Sequence, residues 1–170
     1  MFLKIIYFIE EKMKIINSNF KKGEVKIQVQ NLDDLWYLST IIDTNDIIKG
    51  KTQRKIKVGQ KQQAAKKTIF LKIQVEKVEF SKHTSILRAS GKIIAAPEEI
   101  PLGTSHTFNL EPNTIISIEK QNWLNFQKDK LKEASTSKPL HIMIVVLDRE
   151  EAFFAIMRKY SYELLSNIQG

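Results

Sequence analysis

Eight basic residues crowd one stretch of this sequence: Lys49, Lys51, Arg54, Lys55, Lys57, Lys61, Lys66 and Lys67, with no acidic residue among them. The chain carries 27 Lys and Arg against 19 Asp and Glu, a formal net charge of +8. Setting those eight aside leaves 19 basic residues against 19 acidic ones, so the whole surplus is local to this segment. Like charges held together repel unless something anionic screens them, and a polyphosphate backbone is the natural screen. Each phosphate contact on a single strand adds about −0.7 to the log–log slope of affinity against salt. The run holds no aromatic residue on which a base could stack, which predicts backbone tracking rather than sequence reading. Gly59 and the Gln-rich GQKQQAA predict an exposed loop tip, with the basic residues on the loop.

Metal-assisted phosphodiester cleavage needs carboxylates that converge on one or two cations. The candidates are Asp33, Asp34 and Asp46. Neighbouring residues on a helix diverge by about 100°, so Asp33 and Asp34 do not readily share an ion. In a first helical turn both offset the helix dipole, and Asp46 reads as a turn residue. Three histidines, His83, His106 and His141, are not spaced as ligands, and the absence of cysteine excludes thiolate zinc, iron–sulfur and cysteine-nucleophile chemistry. His106, in SHTF, reads as a half-buried, hydrogen-bonded side chain. Six glycines are scattered and no GxxxxGK occurs, so no phosphate-cradling loop is present. RNA binding then requires no cofactor, and a divalent metal enters only if the nuclease reading holds.

The elements that must position these residues follow from hydrophobic period. Val25, Ile27 and Val29 alternate with polar residues as in a half-buried strand. From Asn31 the period changes: Leu32, Leu35, Trp36, Leu38, Ile41 and Ile42 gather near one helical face behind a good N-cap. Asp43-Thr44-Asn45-Asp46 then supplies turn chemistry. Two strands are predicted at Ile47–Val58 and Thr68–Phe80, joined by the basic loop. In the second, apolar residues shift from odd to even positions near Glu76-Lys77, which predicts a β-bulge. Further strands are predicted at 84–95, 104–110 and 114–121. A second helix is predicted over Trp123–Ala134, with Phe126 or Gln127 facing inward, and Trp36 and Trp123 in the core.

Ser135 to Pro139 has linker composition. Beyond it HIMIVVLD predicts a strand buried on both faces, and a hairpin turns around Arg158–Ser161. The expected organisation is an N-terminal extension at 1–12, a domain at 13–134, a linker at 135–139, and the incomplete opening of a second domain at 140–170. No apolar run approaches the roughly 20 residues needed to span a bilayer, so no membrane contact and a cytoplasmic location are expected.

The ordered segments GEVKIQVQNLDDLWYLSTII (23–42), NDIIKGKTQRKI (45–56), LKIQVEKVEF (71–80), LRASGKI (87–93), IPLGTSHTFNL (100–110) and ISIEKQNW (116–123) resemble the N-terminal part of the Pelota family. Its members are ribosome-rescue proteins related to archaeal and eukaryotic class-1 release factors. VVLDREEAFFAIMRKYSYELL (145–165) resembles the opening of the central domain shared with release factors. Asn45-Asp46 replaces the family's usual Gly-Asp, and Asn tolerates the left-handed turn conformation. No Gly-Gly-Gln element occurs, so peptidyl-tRNA hydrolysis is not implied. The resemblance implies a mainly β, α+β fold: a bent, Sm-like β-barrel with one or two helices over 13–134, then a fragment of an α/β central domain. It implies a domain in the decoding site of a stalled ribosome, touching ribosomal and messenger RNA through the basic loop. The implied partners are a GTPase of the elongation-factor-1-alpha type and an ATP-binding-cassette splitting factor.

The leading expectation is a monomeric, non-enzymatic recognition module for mRNA surveillance and ribosome rescue. The alternative is a divalent-metal-dependent endoribonuclease acting on mRNA of stalled ribosomes.

Overall fold

Val25, Ile27 and Val29 are fully buried, as their alternation requires, and they start a core that gathers apolar residues from nearly every element up to Ala134. The computed structural model describes residues 2–9, 11–58, 63–81, 85–136, 140–160 and 162–169. In chain order the elements are β1 (Phe2–Ile9), β2 (Lys14–Asn19), β3 (Glu24–Gln28), α1 (Leu32–Ile41), β4 (Ile47–Val58), β5 (Gln63–Ser81), β6 (Ile86–Ala95), β7 (Ser105–Leu110), β8 (Ile115–Glu119), α2 (Asn125–Thr136), β9 (Leu140–Leu147), β10 (Glu151–Met157) and β11 (Tyr162–Gln169).

Seven strands form one antiparallel sheet in the order β2-β3-β8-β4-β5-β6-β7. The mainly β class with two helices is as expected, but the barrel does not close: β2 and β7 are the two ends of an open strip. The register of β5 with β6 shifts between Lys72 and Ile73 and again between Val75 and Lys77. The second shift lies where the apolar phase slips in the sequence. A bulge adds a residue to one strand and bends it. Helix α1 packs on β5, β6 and α2.

Local chemistry sets α1. Asn31, the N-cap, accepts from the Asp34 N–H at 3.0 Å, and the Asp34 carboxylate accepts from the Asn31 N–H at 3.3 Å and the Gln30 N–H at 2.7 Å. This is a capping box. The turn after α1 carries Asn45 at φ 72°, the left-handed conformation that makes Asn an acceptable replacement for Gly.

Two details around α2 are instructive. Trp123 is buried but precedes α2, and its indole N–H donates to the Gly23 carbonyl at 2.7 Å. Phe126 is exposed, whereas Gln127 faces in and donates to the Ile41 carbonyl at 3.3 Å and to Asp43 at 2.7 Å.

A separate four-stranded sheet has the order β1-β9-β10-β11. The 1–12 segment, expected as an extension, supplies β1, which runs antiparallel to β9 from Phe2↔Leu147 to Ile9↔Leu140. Described residues after 139 form strands only, and β9 is partly exposed rather than covered on both faces. The turn after β10 meets the helices of the larger sheet. Tyr160 stacks on Trp36 with centroids 3.5 Å apart, and Lys159 reaches Glu133 and the Tyr37 hydroxyl, the latter at 3.0 Å. Trp36 is therefore a contact between the two sheets' elements rather than a core residue of one.

Candidate nucleic-acid interface

The basic segment is a strand pair. β4 and β5 run as one antiparallel ladder from Ile47↔Gln74 to Val58↔Gln63, so β4 has the expected bounds and the pairing extends over Gln63 to Lys67, a stretch expected as loop. The reason lies in Arg54-Lys55-Ile56-Lys57-Val58, whose polar–apolar alternation suits a strand and carries β5 with it by pairing. Residues 59–62, including Lys61, lie outside the described residues, as do the side chains of Lys55, Lys57 and Lys66.

Alternation divides the ladder into two faces. Ile48, Ile69, Leu71 and Ile73 are buried on one face, and Arg54 and Lys67 continue that face beyond the core as a directly opposed pair. Lys49 and Lys51 occupy the other face, opposite Lys72 and Phe70. The charges are thus spread over both sides of the hairpin, not gathered on one surface.

They are also unequally available. Lys49 is held by Glu119 at 2.6 Å and Glu24 at 2.7 Å, and Glu119 also meets Lys72 at 3.4 Å. Partial burial alone would lower the Lys49 ammonium, but these two carboxylates outweigh it and hold it above the usual lysine range. Lys49 is a structural pin between β4, β3 and β8, not a free phosphate contact. Lys67 meets Glu99 at 3.4 Å with both side chains more than half exposed, an arrangement that contributes little. Among the described residues, no carboxylate pairs with Lys51 or Arg54.

An aromatic residue, Phe70, stands immediately beyond the charged run. It lies just past Lys67, is 53% exposed, and pairs across the ladder with Lys51. Its even position among the buried odd residues Ile69, Leu71 and Ile73 is the signal that puts it on the solvent face.

The three candidate carboxylates do not form a centre. Asp34 is taken by the capping box. The Asp33 carboxylate accepts from the Lys159 N–H at 3.3 Å. Asp46 is bound by Lys120, which also donates to Asp43 at 2.9 Å, and Asp46 accepts the Asp43 N–H at 2.7 Å. A buried ammonium stands where a metal ion would have to sit between Asp43 and Asp46. Among the described residues no group of three or more His, Asp or Glu could hold a metal ion. Asp33, Asp34 and Asp46, as placed, do not converge on a divalent-ion site.

Burial pushes Asp34 up to about 6, despite the backbone N–H groups of Gln30, Asn31 and Met13 that favour its ionised form. A folded-state value above the unfolded one means that the native chain binds the extra proton between roughly pH 4 and 6, so this residue's contribution falls as pH rises through that window. Asp34→Asn keeps an acceptor for the amides and removes the charge. The wild-type stability relative to this variant should improve by up to about 3 kcal/mol between pH 7 and pH 4, as read by urea unfolding at each pH. Parallel pH profiles would refute the assignment.

His106 is half-buried and its Nε2 lies 3.0 Å from the Thr52 hydroxyl, the bonded state that its position predicts. Burial, and next the Arg54 guanidinium, hold it below the usual histidine range.

An open antiparallel sheet, two packed helices and a long basic β-hairpin define a mainly β module of the α+β class. Comparison with known proteins gives it a family. Residues 13–135 match the Pelota N-terminal domain. The protein pelota homolog of Thermococcus onnurineus is 39% identical over 163 residues, which is 92% of this chain and 46% of the relative. A model of ribosome-bound archaeal Pelota and ABCE1 superposes with a TM-score of 0.62 at 37% identity, covering 92% of this chain and 45% of that one. Dom34 of S. cerevisiae, described as a translation termination-like factor involved in RNA quality control and interacting with Hbs1, shares the fold at a TM-score of 0.58 and 22% identity, over 92% of this chain and 43% of its own. The chain belongs to the Pelota family. It spans about half the length of the curated relatives it matches. Among the described residues, no helix is long and apolar enough to cross a membrane.

Proposed function

We propose that this chain recognises stalled ribosomes in mRNA surveillance and ribosome rescue, with the β4–β5 hairpin entering the decoding site and contacting RNA. The observation that carries this reading is the ladder itself: Arg54 stands opposite Lys67 and Lys55 opposite Lys66. Like charges directly opposed on an antiparallel pair destabilise it. A phosphate backbone laid along the hairpin converts that repulsion into attraction. In this reading Arg54 and Lys67 meet phosphates on one face of the hairpin and Lys51 on the other, and Lys55, Lys57, Lys61 and Lys66 extend the set. Phe70 beside Lys51 adds a surface on which an unpaired base stacks, which is worth about 1–3 kcal/mol per base.

The similar archaeal Pelota is ribosome-bound alongside ABCE1, and Dom34 is described as interacting with Hbs1. They support an ATP-binding-cassette splitting factor and a GTPase of the elongation-factor-1-alpha type as partners. The module acts as a cytoplasmic monomer and needs no cofactor for binding.

The test is co-sedimentation with ribosomes stalled with an empty acceptor site, over a salt series. Replacing Lys51, Arg54 and Lys67 together by Ala should weaken binding and flatten the log–log salt slope by about 2, at about 0.7 per lost contact. The melting temperature should not fall, because the substitutions remove directly opposed like charges from the ladder. Unchanged affinity and slope would overturn the hairpin assignment.

A further inference from the structure

We propose that Arg54, Thr52, His106 and Thr104 form an oxyanion notch on the core-side face of the hairpin that binds one phosphate group. Thr52 and Arg54 are alternate residues of β4 and so share a face. His106, on β7, reaches Thr52 across the sheet's curve at 3.0 Å. The turn before β7 brings Thr104 to 3.4 Å from Arg54 Nη2, and the Thr104 hydroxyl donates its own proton to the Pro101 carbonyl at 2.9 Å. Thr104 thus offers Arg54 only a lone pair, through a long contact. The remaining guanidinium capacity is unmet: Nη1 is buried with no hydrogen-bond partner. A covered donor without an acceptor is destabilising, the more so when it is charged.

Charge points the same way. Lys49, Lys67, Lys72 and Lys120 each meet a carboxylate, whereas among the described residues Arg54 meets none. Its cross-strand neighbour is Lys67, a second cation. The imidazole beside it is kept neutral by burial and by Arg54 itself. The Thr52–His106 pair shares one proton in its own hydrogen bond and keeps one to donate, Thr104 fixes the Arg54 side chain as an acceptor, and the guanidinium supplies a planar fork suited to a tetrahedral oxyanion. What this cluster lacks is an acceptor with negative charge.

The phosphate is either free in solution or part of an RNA backbone, and for the latter source the inference rests on the RNA-facing reading of the hairpin. The experiment follows the His106 ring resonances of the full chain by NMR. One titration uses inorganic phosphate, with chloride at matched ionic strength as the control, and another uses a short oligouridine. A saturable shift with phosphate, absent with chloride and lost in Arg54→Gln while the fold is retained by circular dichroism, is the expected result. Arg54→Lys should restore charge but not the response, since an ammonium lacks the fork. The same shift with oligouridine identifies the RNA backbone as a source. A shift with phosphate alone supports the notch as a free-oxyanion site and counts against RNA threading past it. Oligouridine binding that leaves His106 unmoved, together with no saturable phosphate response, overturns the notch while leaving the RNA reading of the hairpin intact.

Discussion

Replacing Lys120 by Met should lower the unfolding free energy by about 3–5 kcal/mol, the loss typical when one partner of a buried ion pair is removed. The Lys120 side chain is 2% exposed and Asp46 is 10% exposed, so neither charge has water to fall back on. Without the ammonium, Asp46 keeps only the Asp43 N–H. The damage spreads because the turn is docked on β5: the Asn45 N–H donates to the Val75 carbonyl, and the Val75 N–H donates to the Asp46 carbonyl, both at 2.8 Å. The pH dependence has a definite sign. Burial already holds Asp46 above the usual carboxylate range against the pull of Lys120, and removing Lys120 raises it further. A raised folded-state value favours the native state as pH falls, so the deficit of Lys120→Met shrinks on acidification. Adding Asp46→Asn should restore part of the loss at pH 7. Urea unfolding of the single and double variants checks both statements, and a single variant as stable as wild type would refute the buried pair.

Gly91→Ala should be nearly as damaging, and for a steric reason. A Cβ at this position would lie 1.9 Å from the Gln74 carbonyl oxygen and 3.0 Å from the Val75 Cα. Both are backbone atoms of β5, so no rotamer change relieves the clash; the strands must separate at the bulge. Overpacking of this kind costs about 1–3 kcal/mol and at times more. Gly103 supplies the control: its φ is +76°, yet nothing lies within 4 Å of an added Cβ, so Gly103→Ala costs only the left-handed strain, about 1–2 kcal/mol. Hydrogen exchange should show faster amide opening along β5 and β6 in Gly91→Ala alone. Because Gly91 stands opposite His106 in the β6–β7 ladder, that variant should also disturb the neighbourhood of Arg54.

What the sequence made legible is what local pattern encodes. The Asn31 cap, the bounds of β4, the alternation of β3 and the phase slip in β5 all follow from residues within a few positions of one another. The start of β5 at Gln63 did not, because Gln63 to Lys67 has no apolar alternation and becomes strand only by pairing with β4. Trp123 sits at helical spacing with Leu131, but its indole proton is claimed by Gly23, far away in the chain. The choice of Gln127 over Phe126 as the inward residue depends in the same way on Ile41 and Asp43. Barrel closure failed for a related reason: each strand's pattern states which face is buried, and none states whether the ends of the sheet meet. At the candidate site the surplus of charge was readable from composition. The capture of Lys49 by Glu24 and Glu119 was not, since those partners come from other strands.

The pairing of β1 with β9 also has a consequence for the nascent chain. β1 emerges from the ribosome well before Leu140 to Leu147 are made, with the entire larger sheet synthesised in between. At about 5–20 residues per second, the delay is on the order of ten seconds. Throughout it, a strand of Phe, Leu, Ile and Tyr offers unmatched amides and carbonyls to any neighbouring polypeptide. Aggregation during translation should therefore begin at this segment, and polar substitutions on it should raise soluble yield even where they weaken the finished ladder.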